Sequence, residues 1–175
     1  MPISREVNKD FFKVWTPNMA YILGFFAADG YLTKNKRGGC YLSIEIVDRN
    51  LINKIKKIVA SSHKISIRSH KKNEKKLYRL QIGSKEMYKD IRGLGFENNK
   101  TYNMTVPKVP ADLFCHFVRG YFDGDGNVWF GLTHTDRKKK TISIRTTFTS
   151  CSKYFLLELK HRLRLYFIFN GVFSK

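Results

Sequence analysis

Two stretches of this chain place an aspartate directly before a glycine at the end of an apolar segment. Residues 20–34 read AYILGFFAADGYLTK, and residues 116–130 read HFVRGYFDGDGNVWF. The two aspartates, Asp29 and Asp125, are 96 positions apart, and the residues around them follow the same order of small, bulky and acidic types. This spacing predicts an internal repeat that contributes one carboxylate from each copy.

The glycines inside the two stretches explain how the carboxylates could meet. Gly24 and Gly120 are separated by the same 96 positions, and each belongs to a stripe of small residues at helical spacing. Small residues let two helix backbones approach closely. If the two helices pack side by side and parallel, their C-terminal ends meet and bring Asp29 beside Asp125.

Two carboxylates at two helix C-termini repel each other and the helix dipoles. A cation would relieve that repulsion, and oxygen ligands of this kind suit Mg²⁺ or Ca²⁺ rather than zinc. Divalent ions held between carboxylates and phosphates are the working parts of a nuclease. The glycines allow the backbone to leave each helix sharply and leave room for a metal and a phosphate.

The composition points to the same class of partner. The chain has 175 residues, a formal net charge of +19 and a pI near 10, so a polyanion is expected to bind it, nucleic acid first and a membrane surface second. No apolar run approaches the roughly 20 residues of a spanning helix, and no signal peptide opens the chain. Three cysteines form neither a disulfide framework nor zinc spacing. We therefore expect an intracellular protein that is not secreted.

The first stretch opens a regular order of elements. Thr16 and Pro17 predict the start of the first helix, and Gly30 its end. Alternating and helical apolar patterns then predict a helix, two strands, a helix, two strands and a helix. The segments whose bounds these patterns give are the helix 18–29, one strand of the first pair at 41–47, the helix 48–60, the strands 64–69 and 76–82, and the helix 84–96.

The second stretch begins the same order again. Residues 127–133 and 141–149 read as strands and 152–165 as a helix. Aligning the helix that follows the strands gives an offset of 104, so the second copy carries eight extra residues before it. Continued at that offset, the second copy is expected to stop at the end of its third strand.

The segments ILGFFAADG (22–30) and VRGYFDGDG (118–126) resemble the nine-residue motif of the LAGLIDADG homing endonuclease family. The resemblance implies an α+β fold of two pseudo-symmetric αββαββα halves, packed through the motif helices, whose antiparallel sheets form a saddle over DNA. The halves would be 1–109, with an N-terminal extension 1–16, and an incomplete 110–175. The activity implied is Mg²⁺-dependent, site-specific cleavage of double-stranded DNA, typically at an intron or intein insertion point.

The resemblance also assigns roles to residues. Asp29 and Asp125 would bind the metal, Mg²⁺ with Ca²⁺ or Mn²⁺ as substitutes, assisted by the carbonyls of Ala28 and Gly124. The family often places a lysine before the second motif near the active site, which makes Lys100 the first candidate for a catalytic lysine. The second candidate is Lys108.

Polar positions that alternate with apolar ones on the strands would face DNA, and basic turns would hold its phosphates. The residues expected to read bases are Ser43, Glu45, Ser66, Arg68, Arg79, Gln81, Ser143, Arg145 and Thr147. Those expected to bind phosphates are Lys71, Lys72, Lys75, Lys76, Arg137, Lys138, Lys139 and Lys140.

Three alternatives remain open from the sequence. A LAGLIDADG scaffold could bind nucleic acid without cutting it, as an intron maturase or a DNA-binding regulator. A partner chain or a dimer could complete the second half. A basic protein with no nucleic-acid role would have to keep the duplicated motif for packing alone. Metal-dependent cleavage separates the first alternative from a nuclease, and failure to bind DNA would favour the third.

Overall fold

The computed structural model describes residues 5–68, 75–98, 100–133 and 140–166. The first half contains the helices and strands α1 (Pro17–Asp29), β1 (Gly30–Lys34), β2 (Cys40–Ile46), α2 (Arg49–Ile58), β3 (Ile65–Arg68), β4 (Leu77–Gly83) and α3 (Lys85–Gly93). The predicted order of helix, two strands, helix, two strands and helix is confirmed. Among the described helices, none is long and apolar enough to cross a membrane.

The second half repeats the beginning of this order. After a short α4 (Lys100–Asn103) and a 3-10 turn come α5 (Phe114–Asp125), β5 (Gly126–Thr133), β6 (Thr141–Phe148) and α6 (Lys153–Tyr166). Helix α5 is thus the second motif helix, and it occupies the same place before a hairpin that α1 occupies in the first half. The α+β class with antiparallel sheets is confirmed.

The two sheets differ in size. The first has four antiparallel strands in the order β1-β2-β4-β3, and the described part of the second is the hairpin β5-β6. In the first sheet, Leu42, Ile44, Leu80 and Ile82 face the helices and are buried with the α2 and α3 side chains. The opposite face of that sheet carries the polar residues.

The apolar face of the β5–β6 hairpin is not covered in the described part of the chain. Ile142 and Ile144, which share a face of their strand with Phe148 as the alternation indicates, are 66% and 69% exposed, and Phe130 opposite Ile144 is 66% exposed. The strand register also locates the eight extra residues of the second copy. Gly126 pairs with Phe148, whereas Gly30 pairs with Ile44, so these residues lie in this hairpin.

Candidate functional site

The two motif helices touch through their glycines. A methyl group at Gly24 would collide with the Phe117 carbonyl oxygen and lie 2.9 Å from the Tyr121 amide nitrogen. A methyl group at Gly120 would collide with the Tyr21 carbonyl oxygen in the same way. Each glycine therefore faces the backbone of the other helix, which places a pseudo-twofold axis between them. This is the packing expected of Gly24 and Gly120 from their spacing.

The crossing brings the two acidic helix ends together. A methyl group at Gly124, one residue before Asp125, would lie 3.0 Å from Asp29 Oδ2 and would clash with the Ala28 side chain. The Asp29 carboxylate thus lies against the backbone that precedes Asp125, and both aspartates are half-buried. The absence of a side chain at Gly124 therefore allows Ala28 and the Asp29 carboxylate to approach this backbone closely.

Each helix ends in the same manner immediately after its aspartate. The Gly30 N–H donates to the Phe26 carbonyl in α1, and the Gly126 N–H donates to the Phe122 carbonyl in α5. Both glycines then take extended backbone and begin strands β1 and β5. The sharp helix-to-strand exit fixes the position of each carboxylate relative to its own sheet.

The second aspartate has an additional tether. The Thr149 N–H donates to the Asp125 carbonyl at 3.2 Å, and the buried Tyr121 hydroxyl donates to the Thr149 carbonyl at 2.6 Å. Burial raises the pKa of the Tyr121 phenol, with a further contribution from the nearby Asp125 carboxylate. The residue at the equivalent place in the first copy is Phe25, which has no hydroxyl, so this tether belongs to the second copy alone.

The pair of carboxylates fits a divalent cation in its chemistry. Its donors are oxygens, and the glycine at 124 lets the Asp29 carboxylate approach the backbone that precedes Asp125. The described residues contain no cluster of three or more His, Cys, Asp or Glu side chains. The backbone carbonyls of Ala28 and Gly124 are the additional ligands expected from the sequence.

The two candidate lysines lie in different places. Lys108 precedes α5 and lines a surface groove with Glu158 and Arg162 of α6. That groove is at the N-terminal end of α5, about 17 Å along the helix from Asp125 at 1.5 Å per residue. The structure therefore does not bring Lys108 to the carboxylates. Lys100 begins α4, and its side chain lies outside the described part of the molecule.

The polar face of the first sheet holds most of the residues expected to read bases. Glu45 lies opposite Arg79, and Arg79 lies opposite Ser66. Ser43 is 1% exposed, and its hydroxyl accepts a hydrogen bond from Gln81 at 3.2 Å. Ser43 therefore positions the Gln81 side chain through this hydrogen bond, and its own side chain is not accessible to a base.

The corresponding face of the hairpin carries Arg145, whose guanidinium lies 5.7 Å from the centre of the Trp129 ring opposite it. Ser143 and Thr147 flank Arg145 on the same face. Of the residues expected to bind phosphates, Lys75, Lys76 and Lys140 are exposed. Those outside the described residues are Lys71, Lys72, Arg137, Lys138 and Lys139.

Sequence patterns did not single out several tyrosines that organise this site. The Tyr31 hydroxyl donates to Glu45 Oε1 at 2.5 Å, and the Tyr21 hydroxyl donates to Asp123 at 2.8 Å. Tyr31 lies in the five-residue strand β1, which is too short for its alternation to be distinctive. Tyr21 lies in an apolar helix, where the pattern predicts that an aromatic side chain is part of the core. The pattern therefore did not predict a hydrogen bond from its hydroxyl.

Comparison with known proteins shows what the first half of the chain resembles. Residues 16–93 match the model of the LAGLIDADG-like domain. An uncharacterized protein of Methanocaldococcus jannaschii, MJ0398, is 26% identical over 119 residues, which are 65% of this chain and 40% of that protein. The replication factor C small subunit of the same organism is 27% identical over 116 residues, which are 65% of this chain and 6% of that protein. The chain thus spans well under two thirds of either relative.

Solved structures share the fold at low sequence identity. The homing endonuclease I-WcaI, bound to its DNA recognition sequence, has a TM-score of 0.53 at 20% identity, over 90% of this chain and 72% of that one. The LAGLIDADG meganuclease I-AabMI, bound to uncleaved DNA, has a TM-score of 0.57 at 12% identity, over 92% and 76%. With the paired motif helices, these matches show that residues 16–93 are similar to the LAGLIDADG-like domain and that the described chain shares its fold with I-WcaI and I-AabMI.

Proposed function

We propose that this protein is a site-specific DNA endonuclease that hydrolyses phosphodiester bonds with a divalent metal held by Asp29 and Asp125. The observation that carries the proposal is the contact of the two motif helices, which sets the Asp29 carboxylate against the backbone of Gly124, the residue before Asp125. Packing alone would require the glycines at the crossing. It does not require an acidic residue at both helix ends, where carboxylates and helix dipoles repel each other.

Double-stranded DNA is the substrate that best fits the rest of the molecule. The net charge of +19 favours a polyanion, and Arg68, Arg79 and Arg145 lie on the polar faces of the two sheets. The structural relatives I-WcaI and I-AabMI are bound to DNA in their solved structures. The target sequence would be a long site with little symmetry, because the two sheet faces carry different residues. An intron or intein insertion point is the expected kind of site.

The residues divide the work in a simple way. Asp29 and Asp125 would hold the metal, Mg²⁺ first, and Ala28 and Gly124 would offer carbonyl oxygens beside it. When bound, the ion would lower the pKa of a water molecule and neutralise charge on the leaving oxygen. The sheets would bind and orient the duplex so that each strand passes one carboxylate. Lys100 remains the candidate for stabilising charge on the phosphate.

Cleavage of a randomised duplex library in Mg²⁺ tests this proposal. Wild-type protein should cut a defined subset of sequences. Asp29→Asn and Asp125→Asn should each lower cleavage by at least roughly a hundredfold, the scale of losing one electrostatic stabiliser, while DNA binding persists.

Asp123→Asn is the matched control, because it removes the same charge from the same helix two residues before Asp125. It keeps an oxygen that can accept the Tyr21 hydrogen bond, so cleavage should be close to that of wild type. Equal loss in all three variants would contradict a metal site at Asp29 and Asp125. DNA that is bound but never cut in Mg²⁺ or Mn²⁺ would make the protein a non-cleaving LAGLIDADG binder.

A further inference from the structure

One carboxylate on the polar face of the first sheet organises three neighbours. Glu45 Oε1 accepts the Tyr31 hydroxyl hydrogen at 2.5 Å. The same oxygen lies 3.6 Å from Arg68 Nη1 and 3.7 Å from Arg79 Nε. The three partners come from strands β1, β3 and β4, so Glu45 on β2 joins all four strands of the sheet.

The geometry at Arg79 shows which edge of its guanidinium is engaged. Its Nε is buried and has no hydrogen-bond partner among the described residues, and it faces Glu45 at 3.7 Å. A guanidinium is a planar fork with a side edge, which includes Nε, and an end edge made by its two terminal nitrogens. Turning the side edge toward Glu45 keeps the end edge available for a second planar partner.

Charge and burial explain why Glu45 is needed. Two guanidinium groups this close would repel each other, and a carboxylate between them reverses the interaction. Glu45 and Arg79 side chains are 17% and 21% exposed, so water screens their attraction less than at an open surface. Arg68 is 45% exposed and lies at the edge strand, where it would otherwise sample many rotamers. The shared oxygen thus restricts two long side chains at once, and such restriction before binding lowers the entropy lost on binding.

We infer that Glu45 is a specificity-determining positioning residue: it does not read a base itself but sets Arg68 and Arg79 as a fixed pair aimed at guanines in the major groove of the DNA. Arginine paired end-on with guanine O6 and N7 is the commonest specific contact to a base. The inference rests on the proposed DNA-binding function and holds whether or not the DNA is cut.

The second half organises its arginine differently. Arg145 pairs with Trp129 across the hairpin, and its guanidinium lies over the Trp129 ring. The described strands of this hairpin contain no carboxylate side chain. The effect of Glu45 should therefore be confined to the half of the recognition site that contacts the first sheet. In each selected DNA sequence, the other half-site therefore serves as an internal reference.

Selection of bound duplexes from a randomised library in Ca²⁺, followed by sequencing, tests the inference without cleavage. The variants are Glu45→Gln, Arg68→Ala and Arg79→Ala. Glu45→Gln should flatten the guanine preference at the same positions that the two arginine variants flatten, and leave the other half-site as in wild type. Its affinity for unselected DNA should stay the same or rise, because it removes a negative charge from the face of the sheet that approaches the polyanionic DNA.

Two further variants make the outcome decisive. Glu97→Gln makes the same charge change at an exposed position beyond α3, away from the sheet, and should leave all preferences intact. Tyr31→Phe keeps every charge and removes the hydrogen bond to Glu45, so it should flatten the same positions to a smaller degree even if Glu45→Gln folds poorly.

Three results would overturn the inference. A switch to a different preferred base in Glu45→Gln would mean that Glu45 reads a base directly. Unchanged preferences would mean that the cluster only stabilises the sheet. A wild-type protein with no sequence preference would overturn both this inference and the proposed site-specific function. A protein that binds selected DNA sequences but never cuts them would support the inference and contradict the proposed nuclease activity.

Discussion

The two copies of the motif differ at single positions, and the structure explains one of the differences. Asp123 in the second copy corresponds to Ala27 in the first. Asp123 accepts the Tyr21 hydroxyl hydrogen, and the Arg119 guanidinium lies 4.8 Å from the centre of the Tyr21 ring. Burial, reinforced by Asp123, raises the pKa of the Tyr21 phenol. Asp123 thus joins the two motif helices, and the first copy needs no acid at Ala27.

A buried histidine makes the stability of the first half depend on pH. His63 is 5% exposed, the Gly83 N–H donates to its Nε2 at 3.3 Å, and Ser61 Oγ lies 2.9 Å from its Nδ1. Burial lowers the pKa of His63, and the nearby Arg5 and Lys56 lower it further. The neutral ring is therefore the form that the fold holds, with Nε2 as an acceptor.

The sign of the pH effect follows from this lowered pKa. The unfolded chain binds a proton at His63 near pH 6.5 and the folded chain only at lower pH. The free energy of unfolding should therefore fall as pH drops below about 6.5, until the folded pKa is passed. Denaturant unfolding at pH 7.5 and 5.5 measures it: wild type should lose more stability than His63→Gln. Equal losses in the two proteins would show that His63 does not contribute.

At the level of helices, the sequence predicted the boundaries well because the cap residues act locally. Thr16 Oγ1 accepts the Met19 N–H at 3.1 Å, and the Ser84 hydroxyl accepts the Met87 N–H at 3.2 Å. Asp48 caps α2 through the Asn50 and Leu51 amides. A cap is decided by residues within one turn of chain, so a pattern of neighbours is enough to find it.

The helix crossing can be tested through its glycines. Replacing a helical glycine by alanine normally stabilises a helix by about 1 kcal/mol. Gly120→Ala should instead lower the free energy of unfolding by roughly 2–3 kcal/mol, because its methyl group meets the Tyr21 backbone and the helices must move apart. Thermal or denaturant unfolding measures the change.

Gly93→Ala is the control for that variant. Gly93 ends α3, and nothing lies within 4 Å of the place its methyl group would take. It should leave stability unchanged or raise it by up to about 1 kcal/mol. If Gly120→Ala also stabilised the protein, the close approach of the two motif helices would be contradicted.

The alternating pattern did not predict which faces of the two sheets are exposed. Alternation places Ile142 and Ile144 on one face of their strand, and in the structure they lie opposite Leu132 and Phe130. Whether another element covers a face depends on residues distant in the chain, and alternation carries no information about them. The burial of Ser43 is a similar case, because it depends on the long Gln81 side chain of a neighbouring strand. The place of Lys108 was equally beyond a local pattern.

At the scale of the whole molecule, the repeat offset predicted the pseudo-symmetry, since a shared separation of 96 residues needs no knowledge of packing. The charge makes the second global prediction. With +19 net charge and six or more phosphate contacts, affinity for any duplex should fall by roughly a thousandfold between 50 and 200 mM salt. Fluorescence anisotropy with a duplex of arbitrary sequence measures the slope.

A lysine placed near the DNA should account for part of that slope. Lys140 is exposed and immediately precedes β6, and Lys140→Ala should reduce the slope by about one. Lys89→Ala is the matched control, since exposed Lys89 belongs to α3, which packs on the side of the sheet away from its polar face. An equal reduction by both variants would place the DNA elsewhere on the molecule.

The glycine crossing also has a consequence for how the two halves of such a chain can diverge after duplication. Gly24 meets the backbone of the second copy, and Gly120 meets the backbone of the first, so neither position can gain a side chain while the other helix stays in place. Substitution is therefore constrained at both positions together, whereas neighbouring positions differ between the copies: Tyr21 corresponds to Phe117, and Phe25 to Tyr121. A duplicated gene can thus acquire two different sheet faces and lose its exact symmetry, yet inherit one unchanged axis.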